Sequence, residues 1–93
     1  MKSVARPDLD SPQLLELLAL DEAGFRRLFA GTPMLRAKRR GFLRNVCVAL
    51  GNVAGREALP ALEKAAASEE ALVAEHARWA VQRIQERMET PGL

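Results

Sequence analysis

The chain is poor in cysteine, histidine and aromatic residues, and these shortages exclude several kinds of site. Its 93 residues include one cysteine, Cys47, one histidine, His76, one tryptophan and no tyrosine. A single cysteine forms no internal disulfide and builds no cysteine-based metal or iron–sulfur site within the chain. One histidine without a second ligand or a nucleophile beside it disfavours metal and acid–base chemistry. We therefore expect no catalytic residue, no metal site and a reducing, cytoplasmic setting.

Long apolar runs are also missing. No stretch approaches the roughly 20 apolar residues that cross a bilayer, and the N-terminus has no apolar segment typical of a signal peptide. Apolar residues still make up 48% of the chain, too many for a disordered protein. The length suits one small domain. We expect a single domain at residues 11–89, favoured as a monomer, with tails at 1–10 and 90–93 and no membrane contact.

Acidic residues are absent from the middle of the chain. Between Ala23 and Arg56 there are eight basic residues and no Asp or Glu, so this window carries +8, although the whole chain carries only +2. The basic residues are Arg26, Arg27, Arg36, Lys38, Arg39, Arg40, Arg44 and Arg56. A basic block within an otherwise acidic chain indicates a polyanionic partner.

Turn and capping residues divide the chain into about five helices, with no strand pattern. Ser11-Pro12 and Thr32-Pro33 are start signals, because proline is tolerated in the first turn after a Ser or Thr cap. The helices are predicted from Ser11 to near Leu20, from Asp21 to Gly31, at about 33–50, from near Glu57 onward, and from a Ser68 cap to about Met88. Gly31 and Gly51 are expected to end the second and third helices.

The third predicted helix combines an apolar face with a basic stripe. At 100° per residue, one face holds Leu35, Phe42, Leu43, Val46, Ala49 and Leu50. Arg36, Arg40 and Arg44 lie beside that face at i, i+4 and i+8. They either contact phosphates or form a solvated helix edge with mild mutual repulsion. Gly41 lies within the helix, where a glycine often permits close approach of another backbone or a ligand.

Several other side chains have two interpretations each. Arg39 falls within the apolar sector, which favours an ion pair with Glu16, Asp21 or Glu22 over a ligand contact. Asn45 can make a helix-packing hydrogen bond or contact a base or ribose. For Trp79, packing between helices is favoured over stacking on a base. Cys47 is expected in the core, and His76 is expected to be satisfied or exposed rather than functional.

The chain also contains an internal repeat. Residues 42–50 align with residues 73–81 at an offset of 31, and the apolar positions match: Phe42 with Val73, Val46 with Ala77, Ala49 with Ala80, Leu50 with Val81. Helix–loop–helix units near this period predict a short HEAT-like α-helical repeat, an α-α superhelix. The predicted fold class is therefore all-α, with one full helix pair and half of the next.

Parts of the sequence resemble the C-terminal region of epoxyqueuosine reductases. The resemblance is carried by residues 11–21 and 29–52, the latter including the block Arg-Ala-Lys-Arg-Arg-Gly-Phe-Leu-Arg-Asn at 36–45. Ala58-Leu-Pro-Ala-Leu62 and His76-Ala-Arg-Trp-Ala80 resemble the HEAT-like repeats of that region. Enzymes of this family use cobalamin and two 4Fe-4S clusters to reduce the epoxide of epoxyqueuosine in tRNA.

The resemblance implies that tRNA is the polyanionic partner. The family's cobalamin-binding domain and cluster cysteines are absent from this sequence, so we expect no cofactor in this chain and no catalysis by it alone. The implied role is an accessory domain that positions tRNA for a reductase core. The expected contact residues are Arg36, Lys38, Arg39, Arg40, Arg44 and Asn45, extended by Arg26 and Arg27.

A protein-interaction module is the second hypothesis. HEAT-type stacks offer a concave surface, and a basic groove binds an acidic peptide, or docks on the missing catalytic domain, as readily as it binds RNA. Retardation of tRNA in a gel at low salt, reversed by added salt, distinguishes the two hypotheses.

Overall fold

The computed structural model describes residues 11–33, 35 and 38–89. Within these residues the chain forms five α-helices and no strand, which confirms the all-α class. The helices are α1 (Ser11–Leu18), α2 (Glu22–Phe29), α3 (Lys38–Val53), α4 (Leu59–Ala66) and α5 (Ala71–Glu89), with a 3-10 turn at Arg56–Ala58. The predicted tails at 1–10 and 90–93 lie outside the described residues.

The main core is built from one face each of α1, α3, α4 and α5. Its larger buried side chains are Leu14, Leu18, Leu43, Val46, Cys47, Leu50, Leu62, Val73 and Ile84. Most of the predicted apolar stripes are therefore confirmed. Full burial of such an aliphatic side chain stabilises the fold by about 1.5–3 kcal/mol. On the predicted apolar face of the third helix, Leu35 is not buried, since 39% of it is exposed.

Helices α3 and α5 run parallel. Arg40 near the start of α3 lies beside Glu70 just before α5, and Gly51 lies against Ala80 further along. Arg87 reaches Ala54 at the far end. Each contact joins residues about 30 apart in sequence, close to the predicted repeat offset. A stack of helical repeats would pair its corresponding helices in this way, so the packing supports the HEAT-like repeat, which stays a prediction.

The predicted bounds of the third helix are wrong at both ends. At its start, the Thr32 hydroxyl donates to the carbonyl of Phe29 at 2.7 Å. Thr32 therefore satisfies the end of α2 instead of capping α3, which begins only at Lys38. At the other end the helix passes through Gly51 to Val53.

The close approach predicted at Gly41 occurs at Gly51 instead. Gly51 does not end the helix; it is buried, and a Cβ there would lie 2.7 Å from Cζ3 of Trp79 and 3.1 Å from Cα of Ala80. Gly41 has no such neighbour within 4 Å of a Cβ. The close approach between helices therefore occurs at Gly51, because any side chain there would push α5 away.

The predicted signals at both ends of the second helix are confirmed. The Asp21 carboxylate accepts the backbone N–H of Gly24 at 2.7 Å and caps α2. Gly31 follows that helix with a φ of +77°, the left-handed conformation that glycine adopts without strain. The Ser68 hydroxyl accepts the N–H of Glu70 at 3.0 Å. Helix α5 begins only at Ala71, so Ser68 lies before the helix and its predicted capping role is wrong. Glu69 and Glu70 also precede the first turn.

Candidate nucleic-acid interface

A cleft of about 430 Å³ opens between α2 and the start of α3. Glu70, which directly precedes α5, also lines it. The lining residues are Glu22, Phe25, Arg26, Leu35, Lys38, Arg39, Arg40 and Glu70. Four of them are cations and two are carboxylates. The cleft is therefore basic, but less so than the acid-free sequence window indicates.

The first turn of α3 concentrates positive charge at a position where a helix disfavours it. Lys38, Arg39 and Arg40 occupy this turn, and no acidic residue does. The N-terminus of an α-helix already carries partial positive charge. A cation placed there therefore destabilises the helix by about 0.3–1 kcal/mol. Lys38 also has a φ of +67°, which non-glycine residues rarely adopt. An anion bound beside this turn would offset the charge repulsion.

Helix α2 supplies the arginines of the opposite wall. The Nε of Arg26 donates to Oε2 of Glu22, one turn earlier, at 3.1 Å. Arg27 is exposed on the same helix. Of the two arginines predicted to extend the basic surface, Arg26 lines the cleft and Arg27 lies outside it.

Arg40 faces an acidic residue that is distant in sequence. Its Nη1 lies 3.9 Å from Oε1 of Glu70. Both side chains are about half exposed, at 56% for Arg40 and 46% for Glu70. The sequence shows no acidic residue within the helix to relieve the repulsion among its arginines. The tertiary structure provides one from the segment before α5.

Arg39 has a structural role. It is partly buried, and its Nε donates to the backbone carbonyl of Leu20 at 2.7 Å. Leu20 lies between α1 and α2, so this hydrogen bond fastens the start of α3 to their connection. The predicted partner, a carboxylate of Glu16, Asp21 or Glu22, is wrong. A backbone carbonyl can replace a carboxylate here, because it accepts a hydrogen bond from the guanidinium. Arg39 can therefore lie in an apolar sector without a buried ion pair.

Arg44 and Asn45 contact each other, since the Nε of Arg44 donates to Oδ1 of Asn45 at 3.0 Å. Asn45 is exposed and its amide oxygen accepts from a neighbour on the same helix, which does not support the helix-packing interpretation; its contact with a base or ribose stays a prediction. Neither residue lines the cleft; Arg44 lies one turn beyond Arg40 on α3. Arg36, the first member of the predicted stripe, lies outside the described residues, and its contact with RNA stays a prediction.

Two arginines of α5 cap the ends of other helices. Arg87 donates from Nη1 to the carbonyl of Gly51 at 2.6 Å and from Nη2 to that of Ala54 at 2.5 Å. Arg78 donates to the carbonyl of Ala66, the last residue of α4, at 3.3 Å. Carbonyls at a helix end lack intrahelical partners, so these arginines stabilise the ends of α3 and α4. Sequence reasoning missed both roles, because the partners lie 12 to 36 residues away.

Trp79 and His76 have mainly structural contacts. The ring of Trp79 lies against Gly51 between α3 and α5, which confirms the packing interpretation, although 38% of the residue remains exposed. The guanidinium carbon of Arg83 lies 5.7 Å from the ring centre. Nδ1 of His76 is 2.8 Å from the carbonyl of Leu72, one turn earlier in α5.

Among the residues that the structure describes, no group of three or more His, Cys, Asp or Glu is placed to bind a metal ion. Cys47 is fully buried, and burial raises the pKa of its thiol to about 11. Because a cluster ligand is a thiolate, Cys47 does not fit an iron–sulfur site. No helix in the described part of the chain has the length and apolarity to span a membrane.

Comparison with curated proteins finds epoxyqueuosine reductases. The relative from Xanthomonas campestris pv. campestris is 46% identical over 78 residues, which is 83% of this chain. The relative from Alicycliphilus denitrificans is 42% identical over 85 residues, also 83% of this chain. The Escherichia coli relative is 35% identical over 83 residues, or 88% of this chain. No protein-family model and no solved structure matches the chain.

The matches cover most of this chain but only a small part of each relative. The chain spans 22% of the Xanthomonas campestris protein, 24% of the Alicycliphilus denitrificans protein and 22% of the Escherichia coli protein. Identities of this size over nearly the whole chain confirm the resemblance seen in the sequence. The chain belongs to the epoxyqueuosine reductase family, of which it represents one segment.

Proposed function

We propose that this chain is an RNA-binding accessory domain that holds tRNA for reductase chemistry performed outside it. The contact surface, which we name the cationic face, consists of Arg26, Arg27, Lys38, Arg40 and Arg44. It would act in the cytoplasm, where tRNA is found, as a HEAT-like helical repeat. The relatives are named for a reaction on epoxyqueuosine, a modified nucleoside of tRNA according to the family resemblance.

The observation that carries the proposal is the convergence of cations on one open cleft. Arg26 approaches from α2, and Lys38 and Arg40 from the first turn of α3. Other arginines of the chain are engaged with backbone carbonyls: Arg39 with Leu20, Arg78 with Ala66, and Arg87 with Gly51 and Ala54. The cations that remain exposed around the cleft are those suited to phosphate contact. Such contacts position RNA and read little of its sequence.

Charge reversal tests the proposal. The double variant Lys38→Glu/Arg40→Glu is expected to weaken tRNA binding at low salt by more than about tenfold, because each lost phosphate contact removes a released counterion. The slope of log affinity against log salt should become shallower by roughly 0.7–0.9 for each lost contact. Fluorescence anisotropy of labelled tRNA measures both quantities.

Arg56→Glu provides the matched control. Arg56 belongs to the same acid-free window and is exposed, but it lies beyond the far end of α3. Arg40, the cleft residue furthest along α3, lies 13 residues before the helix end at Val53, which separates Arg56 from the cleft by roughly 20 Å at about 1.5 Å per residue. Affinity should change far less per reversed charge in this variant. An equal loss per charge in both variants would show that only net charge matters, and would contradict a site at the cleft.

A second groove, which Arg39 also lines, favours a second candidate function, docking of an acidic protein segment. This groove, of about 380 Å³, is lined by apolar residues of α1, α3, α4 and α5, chiefly Leu15, Leu18, Leu43, Ala61, Ala65 and Val73. Of the described residues that line it, the charged ones are Arg39 and Lys64, and none is a carboxylate. An apolar segment with flanking acidic residues fits such a surface, and the rest of a full-length relative is the partner we expect.

Co-elution tests this second function. The remainder of the Xanthomonas campestris relative, expressed separately, should co-elute with this chain in size-exclusion chromatography. Ala65→Asp should abolish the complex by placing a charge in the groove, whereas Arg40→Glu should leave it intact. Loss of the complex with Arg40→Glu and not with Ala65→Asp would assign docking to the cationic face instead.

A further inference from the structure

We propose that Glu22 and Glu70 are built-in competitors of RNA phosphates. In the free protein Glu22 pairs with Arg26 one turn along α2 and Glu70 lies beside Arg40 at the cleft, and bound RNA replaces both carboxylates with backbone phosphates. This inference rests on the proposed tRNA-binding function and adds to it a means of rejecting small anions. It also explains why two carboxylates lie in a cleft that is otherwise suited to binding anions.

The contact of Glu70 with Arg40 is loose and long-range. Oε1 of Glu70 lies 3.9 Å from Nη1 of Arg40, longer than the 2.7–3.2 Å of a typical hydrogen bond. The two residues are 30 positions apart, so the contact arises from the parallel packing of α3 and α5. The backbone of Glu70 is fixed at both ends, because its N–H donates to Ser68 and its carbonyl accepts from Ala74. Its carboxylate is therefore held near Arg40 without a tight bond to it.

Glu22 contacts Arg26 more closely, but in a more exposed position. The Nε–Oε2 distance is 3.1 Å, and the side chains of Arg26 and Glu22 are 71% and 61% exposed. Exposed i, i+4 ion pairs of this kind contribute little to stability. The pair keeps the Arg26 guanidinium near the cleft. Because the pair contributes little stability, a phosphate can displace the Glu22 carboxylate at a small cost in free energy.

The number of charges indicates the kind of anion that displaces the carboxylates. Among the described residues, four cations and two carboxylates line the cleft, which gives these lining residues a net charge of +2. A single small anion meets the competing carboxylates and gains little. A polymer that presents successive phosphates replaces both carboxylates in one binding event, and its second contact benefits from a high effective concentration. The ligand class is therefore a nucleic-acid backbone rather than a mononucleotide or inorganic phosphate.

Neutral substitutions of the carboxylates provide the test. Glu22→Gln and Glu70→Gln should each tighten tRNA binding about 2–5-fold at low salt, and the double variant by about the product, because each removes a weak competitor. Glu63→Gln is the matched control: it removes the same charge from an exposed position on α4 outside the cleft. Its affinity should remain close to that of the wild type. Circular dichroism checks that every variant is folded.

Inorganic phosphate is the second probe. We compare the phosphate concentration that displaces half of the bound tRNA from each protein, after correcting for the tRNA affinity of that protein. This concentration should be several-fold lower for Glu22→Gln/Glu70→Gln than for the wild type. If Glu70→Gln weakens tRNA binding, or matches the Glu63→Gln control, the competitor role is wrong. If tRNA binding is nevertheless weakened by Lys38→Glu/Arg40→Glu, the proposed function is still supported although the competitor role is not. If the wild type and the charge-reversal variant bind tRNA equally poorly, both the function and this inference are overturned.

Discussion

Neighbouring residues of the same type have different roles in this chain. Arg39 and Arg40 are adjacent and belong to the same run of basic residues. One donates to the carbonyl of Leu20, while the other lies half exposed beside Glu70. An arginine directed toward the core needs acceptors for its donors, whereas an exposed arginine remains available to a ligand. At the residue scale, side-chain direction and not residue type separates structural cations from candidate binding cations.

Cys47 should make the stability of the protein depend on alkaline pH. Burial raises the pKa of its thiol to about 11, whereas a thiol in the unfolded chain ionises near pH 8.5. Its contribution is therefore fully present below about pH 8.5 and is lost as the pH rises toward 11, because only the unfolded state ionises in that range. We expect the free energy of unfolding to fall by about 1–2 kcal/mol from neutral pH to about pH 10 for this reason.

Urea titrations at several pH values measure this effect, and Cys47→Ala is the control. Loss of the packed sulfur lowers stability in Cys47→Ala at every pH, but the part of the alkaline decline due to the thiol should disappear. The same alkaline slope in both proteins would mean that Cys47 ionises as freely in the folded state as in the unfolded state.

Gly51 and Gly41 form a matched pair for testing helix packing. Gly51→Ala should destabilise the protein by about 1–3 kcal/mol, because the new Cβ would lie 2.7 Å from the Trp79 ring and 3.1 Å from the Cα of Ala80. Gly41→Ala has free space around its Cβ and should be neutral or stabilising by up to about 1 kcal/mol. Thermal or urea unfolding measures both. Equal effects at the two sites would contradict the close packing of α3 on α5.

At the element scale, Arg87 controls how α3 ends. A helix that lacks a glycine or asparagine cap needs other donors for its last carbonyls, and α3 obtains two from Arg87. The short segment after α3 is thereby fixed relative to α5. The parallel pairing of the two helices depends on this clamp at one end and on the Gly51 contact near it.

Arg87→Ala should lower the free energy of unfolding by about 1–2 kcal/mol, because two charge-assisted hydrogen bonds are lost at a partly exposed site. Arg87→Lys keeps the charge but not the two-pronged geometry, so it should restore only part of the loss. Arg83→Ala, one turn earlier on α5, removes the contact with Trp79 and should cost less than about 1 kcal/mol. Chemical denaturation of the three variants ranks them. An Arg87→Lys variant as stable as the wild type would show that charge alone acts at this helix end.

At the scale of the whole molecule, α2 is attached differently from the other helices. Buried Phe25 lies outside the main core cluster. Its ring contacts Phe29 at 5.0 Å and Phe42 at 5.6 Å between centroids, and Phe29 also contacts Phe42 at 5.0 Å. Phe42 of α3 packs against the main core, so it joins this aromatic cluster to the rest of the molecule. One wall of the cleft thus depends on a separate small cluster.

Amide hydrogen exchange should reveal this division. Amides of α2 are expected to exchange through local opening, at least about tenfold faster than those at the centres of α3 and α5, which open only on global unfolding. Phe42→Ala should increase exchange in α2 more than elsewhere. It should also weaken tRNA binding, because Arg26 is no longer held at the cleft. Uniform protection across all five helices would contradict a separately opening α2.

The sequence by itself determined the helical fold class, most of the apolar stripes and the family. These depend on local spacing, such as Leu14 with Leu18 or Val46 with Leu50, and on caps such as Asp21, whose partners lie within one turn. It also determined that the basic residues lie in one acid-free window. The HEAT-like repeat and the contact with tRNA remain predictions, the former supported by the parallel packing of α3 and α5.

Only the tertiary structure decided which of those cations face a ligand. The carbonyl of Leu20 accepts from Arg39, Glu70 lies beside Arg40, and Gly51 allows α5 to pack closely on α3. These contacts join residues about 19 to 36 positions apart in the sequence. Such contacts depend on how whole helices pack, because a shift of one turn would pair each side chain with a different neighbour. No local pattern specifies them. The sequence therefore located the charge, and the packing of α2, α3 and α5 arranged it into a cleft.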